Sequence, residues 1–155
     1  MNRLTYPVRI VVADDDMDDR MMIKEAFEES KLGNAVDFVE DGMELLEYLR
    51  CQGKYAELAG KPFPGFILLD LNMPRKDGRT VLKEIKSDPA LQRIPVIMLT
   101  TSKADEDIIK TYDLGVNSFI CKPVSFDKLV DIVKTISHYW IEIVALPPEC
   151  QSQAA

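Results

Sequence analysis

Five short apolar runs, each followed by a longer stretch in which apolar residues recur every three or four positions, set the tightest limit on how this chain can fold. The runs are VRIVVA (8 to 13), AVDFV (35 to 39), FILL (66 to 69), VIML (96 to 99) and SFIC (118 to 121). Four of the five are nearly continuous in apolar residues, as strands covered on both faces must be; a sheet with one wet face would alternate. The stretches between them predict helices over 18 to 31, burying Ile23, Ala26 and Phe27, over 42 to 51, burying Leu45, Leu46 and Leu49, and over 78 to 87, burying Val81, Leu82 and Ile85. Two more are predicted over 104 to 114, carrying Ile108, Ile109 and Tyr112, and over 126 to 140, carrying Leu129, Ile132, Val133 and Ile136. Ser125 can cap the last helix and Gly115 can end the one before it.

A strand–helix unit used five times predicts a doubly wound α/β sandwich, flavodoxin-like, with a five-stranded parallel sheet in the order 2-1-3-4-5. The 155 residues, 46% of them hydrophobic, suffice for one core and little more. We read residues 1 to 138 as that domain and 139 to 155 as a C-terminal extension, with no separate output domain. Two segments exceed the minimum. CQGKYAELAGKPFPG is a long surface loop with room for one helical turn. The tail places Tyr139, Trp140, Ile141, Ile143, Val144 and Leu146 in close succession; such a patch either folds back on its own domain or docks on a partner or a second copy, and a homodimer is expected.

Charge excludes some partners. Nineteen Lys and Arg against 26 Asp and Glu leave a net charge of −7 with no basic stripe, which argues against nucleic acid. No apolar run approaches the roughly 18 residues of a membrane span, and the N-terminus has no signal-peptide pattern, so no membrane contact and a cytoplasmic location are expected. Cys51, Cys121 and Cys150 form no C-x-x-C pair and His138 stands alone, so neither a disulfide framework nor a zinc site is indicated.

In an open α/β sheet the ligand site lies outside the carboxyl ends of the strands, where the strand order reverses. Those ends carry Asp14, Asp15 and Asp16 after the first strand, Asp70 after the third, Thr100 to Ser102 after the fourth, and Lys122 with Pro123 after the fifth. With strands 1 and 3 adjacent, Asp70 and Asp14 or Asp15 come within several ångströms. Two unit charges about 5 Å apart at an effective dielectric of about 20 repel by roughly 3 kcal/mol. One nearby ammonium, Lys122, does not offset three acids, so the cluster asks for a hard divalent cation. All-oxygen ligands favour Mg²⁺, with Mn²⁺ as a substitute, and a backbone carbonyl, most simply that of Asn72, completes the protein's share. A carboxylate held beside a metal, an ammonium and a hydroxyl can attack a phosphoryl group. Asp70, flanked on both sides in the sheet, is the expected nucleophile.

The segments VVADDD, ILLDLNMPRKDG, VIMLTTS and FICKP, in this order and spacing, resemble the receiver domain of two-component response regulators, the CheY-like fold, over about residues 6 to 138. The resemblance implies that Asp70 accepts a phosphoryl group from a sensor histidine kinase, that Asp15 binds Mg²⁺ directly with Asp14 assisting, and that the Asn72 carbonyl is a ligand. It implies that Thr100 and Lys122 engage the phosphoryl oxygens and that the Lys122–Pro123 bond is cis. It also implies a switch in which Thr100 moves toward the phosphoryl group and an aromatic on the fifth strand, here Phe119, follows it inward. Many members have Tyr at that position; a Phe cannot hydrogen-bond from its ring tip, so packing alone must drive the switch. The reader surface is then the face of helix 4, strand 5 and helix 5. The long loop after helix 2, together with CKPVSFDKLVDIV and the YW pair, is similar to the single-domain regulators that serve cyanobacterial phytochromes, which makes a phytochrome-type kinase the favoured donor.

Two rival classes are disfavoured by particular residues. A phosphohydrolase of the haloacid dehalogenase type wants a second Asp two residues after its nucleophile, and position 72 is Asn. A flavin or nucleotide binder needs a phosphate-cradling loop after the first strand, where three aspartates would repel the phosphate. The protein is expected to catalyse its own phosphorylation and slow dephosphorylation and no other reaction.

Overall fold

The computed structural model describes residues 8–31, 33–101 and 104–143. Strands β1 (Ile10–Ala13), β2 (Val36–Val39), β3 (Phe66–Leu69), β4 (Val96–Thr100) and β5 (Ser118–Cys121) form one all-parallel sheet in the order β2-β1-β3-β4-β5. The expected topology is therefore the observed one. Alternate residues of the central strands feed two cores. Val11, Ala13, Ile67, Leu69, Val96 and Met98 face one side, and Ile10, Val12, Phe66, Leu68, Ile97 and Leu99 the other. Every one of these is buried, which is why the runs read as continuous rather than alternating.

Helices α1 (Met17–Ser30) and α5 (Phe126–Ser137) cover the second face through Ile23, Ala26, Phe27, Leu129, Val130, Val133 and Ile136. Helices α2 (Gly42–Leu49) and α3 (Gly78–Ser87) cover the first through Leu45, Leu46, Leu49, Val81, Leu82 and Ile85. Asp16, Asp41 and Asp77 each cap a helix directly after a strand or turn at the carboxyl edge, accepting from the first free N–H groups of α1, α2 and α3. Ser125 caps α5, and Gly115, at φ +102°, follows the end of α4 (Asp105–Asp113) as expected.

Two expectations need correction. Helix α4 buries Thr111, while Ile109 and Tyr112 are 60% and 50% exposed. Its apolar spacing is therefore not a core face, because α4 packs loosely beside the edge strand β5. Helix α5 stops at Ser137 and passes into a π-helical segment, His138–Ile143, in which Trp140 and Ile141 pack back on the α1/α5 core and Tyr139 stays exposed. Part of the tail thus covers its own domain. Val144 and Leu146 lie outside the described residues, as does the side chain of Ile143.

The loop after α2 holds a 3-10 turn, Gly53–Leu58, tied down through Tyr55, whose hydroxyl donates to Glu44 at 2.5 Å and whose ring meets that of Tyr48 edge-on; Tyr48 in turn donates to Asp37 at 2.6 Å and accepts from Arg9 at 2.7 Å. A second tie joins the loop after β3 to the start of α2. Arg75, at φ +64°, makes a two-pronged contact with Asp41, Nε to Oδ2 at 2.8 Å and Nη2 to Oδ1 at 3.0 Å. Burial alone would raise the Asp41 carboxyl, but Arg75 and the α2 N–H groups outweigh it and hold it below its ordinary value of 3.8. A depressed carboxyl favours the fold above its unfolded value and loses that contribution as pH falls through the folded one. In urea titrations, Arg75→Ala is accordingly less stable than wild type at neutral pH, and the gap closes once the medium is acid enough to protonate Asp41. A gap that persists at pH 2 would show that the pair does not act through this charge.

Candidate functional site: an acidic pocket at the carboxyl edge

Register places the acids. Ala13 pairs with Leu69, so the next residue on each strand, Asp14 and Asp70, leaves the sheet side by side; the Asp70 N–H donates to the Ala13 carbonyl at 3.0 Å, the last link between the strands. Asp14 is 1% exposed and Asp70 9%, while Asp15 lies at the exposed mouth of the same cluster and Asp16 is spent on capping α1. One carboxylate oxygen from each of Asp14, Asp15 and Asp70 lies within 4.8 Å of the other two. Thr100, fully buried at the tip of β4, hydrogen-bonds the Asp70 carboxylate, and the Leu71 N–H donates to Asp70 Oδ1 at 2.9 Å. The Lys122 N–H bonds the Thr100 carbonyl at 2.7 Å, which brings the Lys122 ammonium over the acids: Nζ is 2.5 Å from Asp14 Oδ2 and 3.8 Å from Asp70 Oδ2.

Burial sets the electrostatics. It pushes the Asp14 carboxyl above its ordinary value, against the pull of Lys122, and Asp70 adds to the rise. Burial likewise raises Asp70, opposed by Lys122, Thr100 and the Leu71 N–H and reinforced by the charge of Asp15. Lys122 would be lowered by burial, but Asp14 and Asp19 together hold it raised and charged. One ammonium therefore serves several carboxylates, and the pocket stays short of positive charge. Three hard oxygen donors at this spacing, with no nitrogen or sulfur ligand among them, fit Mg²⁺ or Mn²⁺.

Added Mg²⁺ is expected to raise the melting temperature by several degrees, since a ligand that binds only the folded state at about a hundredfold its Kd adds about 2.7 kcal/mol. Asp15→Asn is expected to melt higher than wild type without metal and to gain less from it. Melting curves indifferent to millimolar Mg²⁺ would count against the site.

The expected site residues Asp14, Asp15, Asp70, Thr100 and Lys122 are thus gathered in one place. Asn72 lies two residues beyond Asp70 on the exposed turn. Phe119 is half-buried against the α2/α3 core, and its N–H donates to the Tyr112 hydroxyl at 3.3 Å. The expected cis bond is not found: no peptide bond among the described residues is cis, so Lys122–Pro123 is trans, the form favoured by about 0.5–1 kcal/mol for a bond preceding proline. Two residues were missed. Asp19, on the first turn of α1, places Oδ2 2.8 Å from Lys122 Nζ. Adjacent Asp18 and Asp19 look alike in the sequence; the phase of α1 alone decides which reaches inward. Arg20 was missed too, and donates from Nη1 to the Asp14 carbonyl at 2.8 Å.

A parallel five-stranded sheet whose reversal point gathers a buried carboxylate, an acid trio that fits a hard cation, a hydroxyl and an ammonium has the fold and site of the signalling domains that are switched by phosphorylation. The chain belongs to the response regulator receiver domain family, whose profile matches residues 10–134. It is 39% identical over 141 residues to the response regulator Rcp1 of Synechocystis sp., covering 91% of this chain and 94% of Rcp1. Among solved structures it is similar to the phosphorylated cyanobacterial phytochrome response regulator RcpA, at 45% identity and TM-score 0.84 over 92% of this chain and 100% of that one. The Mn²⁺-bound form of Rcp1 matches at 39% identity and TM-score 0.81, over 92% of this chain and 100% of that one. This is a response regulator, a signalling protein homologous to phytochrome response regulators; receiver domains bind Mg²⁺, a phosphorylation-based switch is their function, and a histidine kinase is the implied partner. No described helix is long and apolar enough to cross a membrane.

Proposed function

We propose that Asp70 is the phosphoacceptor and that a phytochrome-type histidine kinase is its donor. The observation that carries this reading is the paired exit of Asp14 and Asp70 from adjacent strands beneath Lys122. A carboxylate oxygen of Asp70 attacks the phosphorus of the kinase's phosphohistidine; the P–N bond breaks as the O–P bond forms, and the departing imidazole nitrogen takes a proton from solvent. Asp14, Asp15 and Asp70, with the Asn72 carbonyl, would hold Mg²⁺, which neutralises charge on the transferring oxygens. The Leu71 N–H orients the Asp70 carboxylate, Lys122 supplies positive charge to the phosphoryl group, and the Thr100 hydroxyl is released from Asp70 to donate to it. Attack of water on the acyl phosphate later returns Asp70 and inorganic phosphate, a self-limited reaction and not turnover of an outside substrate.

The space left by Thr100 would admit Phe119, whose ring already packs at the edge of the core. Exposed Ile109, Tyr112 and Tyr139 give the α4–β5–α5 side an apolar surface, which supports self-association there. Sedimentation that finds only monomer at high micromolar concentration, phosphorylated or not, would remove the dimer. A cytoplasmic setting follows from a phosphohistidine donor, which is made from ATP. The deciding experiment mixes the protein with ³²P-labelled phytochrome-type kinases and with unrelated ones; label should pass fastest from the former, and equal rates would defeat the assignment of donor. A phosphomonoester assay that showed repeated turnover would favour the hydrolase instead.

A further inference from the structure

Lys122 must reach a phosphoryl group on Asp70, yet its ammonium is held elsewhere. Nζ is at hydrogen-bond distance from Asp14 Oδ2, 2.5 Å, and from Asp19 Oδ2, 2.8 Å, whereas Asp70 Oδ2 stands 3.8 Å away, beyond a hydrogen bond. Asp14 is part of the acid trio that fits a cation. Asp19 is not: it comes from the first turn of α1, its side chain is about a third exposed, and its contact in the pocket is to the lysine.

We propose, on the reading of Asp70 as phosphoacceptor, that Asp19 is a positioning residue that holds Lys122 back from Asp70 in the unmodified protein, and that phosphorylation draws the ammonium from Asp19 to a phosphoryl oxygen. The exchange is favourable on charge alone. A phosphoryl group brings about −1.5 to −2 charges and three strong acceptors, against one charge on Asp19. It is also cheap for Asp19, because a carboxylate at the first turn of α1 keeps the favourable field of the helix N-terminus after its partner leaves. Asp19 therefore sets how much of the intrinsic pull of Lys122 is available to the acceptor. Release of the pair also returns an uncompensated negative charge to the exposed start of α1, so that the state of Asp70 is written there.

The test uses beryllofluoride, which adds to an acceptor carboxylate as a phosphoryl mimic, with Mg²⁺ and ¹⁹F NMR as the readout. Asp19→Asn is expected to bind it about three- to fivefold more tightly than wild type, the scale of a partly exposed ion pair, and to label faster with acetyl phosphate. Asp18→Asn removes the same charge from the same helical turn, on an exposed side chain. It should change binding less than about twofold, as expected of a screened surface charge. Asp19→Glu should return most of the restraint. Should Asp19→Asn melt too low to assay, Asp19→Ser, compatible with a helix start, replaces it. Equal effects at 18 and 19, or weaker binding in a folded Asp19→Asn, would overturn the inference: the first would reduce Asp19 to a diffuse charge, the second to a structural staple between α1 and the loop after β5. Failure of wild type itself to take beryllofluoride or label would instead defeat the reading of Asp70.

Discussion

Asp70→Asn is expected to lose labelling by acetyl phosphate by at least about a thousandfold, because an amide oxygen is a far poorer nucleophile than the carboxylate that Thr100, Lys122 and the Leu71 N–H surround beside the acid trio. Mass spectrometry of intact protein, one phosphoryl group on wild type and none on the variant, checks it. Labelling that persists at another acid would remove Asp70 from its role. The same substitution has a second, opposite effect. Burial raises the Asp70 carboxyl, so its charged form opposes folding; its contribution is fully present below the ordinary carboxylate value of 3.8 and is lost as pH rises through the raised folded value. Without metal at neutral pH, Asp70→Asn should therefore melt above wild type, and the two should converge in acid. Activity is lost while stability is gained, the pattern of a site that keeps a charge where the fold disfavours it.

Gly78→Ala is the larger blow to the fold. A Cβ at Gly78 would stand 2.3 Å from the Asp70 carbonyl oxygen and 2.8 Å from the Leu71 Cα, and the Gly78 N–H already holds the Leu71 carbonyl at 2.7 Å. Backbone on both sides cannot turn aside as a side chain can. We expect about 3 kcal/mol of lost stability, a melting point lower by roughly 10 °C, and poor labelling of whatever remains folded, since the obstruction acts on Asp70 itself. Gly53→Ala is the control: at φ +58° it meets no atom within 4 Å and should cost only the backbone preference, about 1 kcal/mol, with labelling intact. Equal losses at the two positions would show that helix start and acceptor are not coupled by contact.

Most of the pocket was legible because it depends on few variables. Once the runs ending at Ala13 and Leu69 are neighbouring parallel strands, the residues that follow them must emerge together, and both are aspartates. The lysine and threonine follow from the same rule at β5 and β4. What was not legible turns on a single residue's angular phase. Asp14 and Asp15 are adjacent and chemically identical, yet one is sealed in and one is exposed. Asp18 and Asp19 differ in the same way, because one step along a helix turns a side chain by about 100°. The spacing of Ile108, Ile109 and Tyr112 promised a buried face, but α4 lies beside an edge strand where less surface is offered.

The sequence by itself determined that strands buried on both faces alternate with helices, that their order reverses between the first and third strands, and that acids, a hydroxyl and a lysine meet at that edge. Those are consequences of periodicity and of the single hand of parallel crossovers, both local or nearly so. Only the tertiary structure decided that Lys122 rests on Asp14 and Asp19 rather than on Asp70, and that Trp140 and Ile141 return to their own core. Each of these is a choice among competing partners, settled by distances of an ångström or less between elements far apart in the chain, and pairwise spacing carries no record of them.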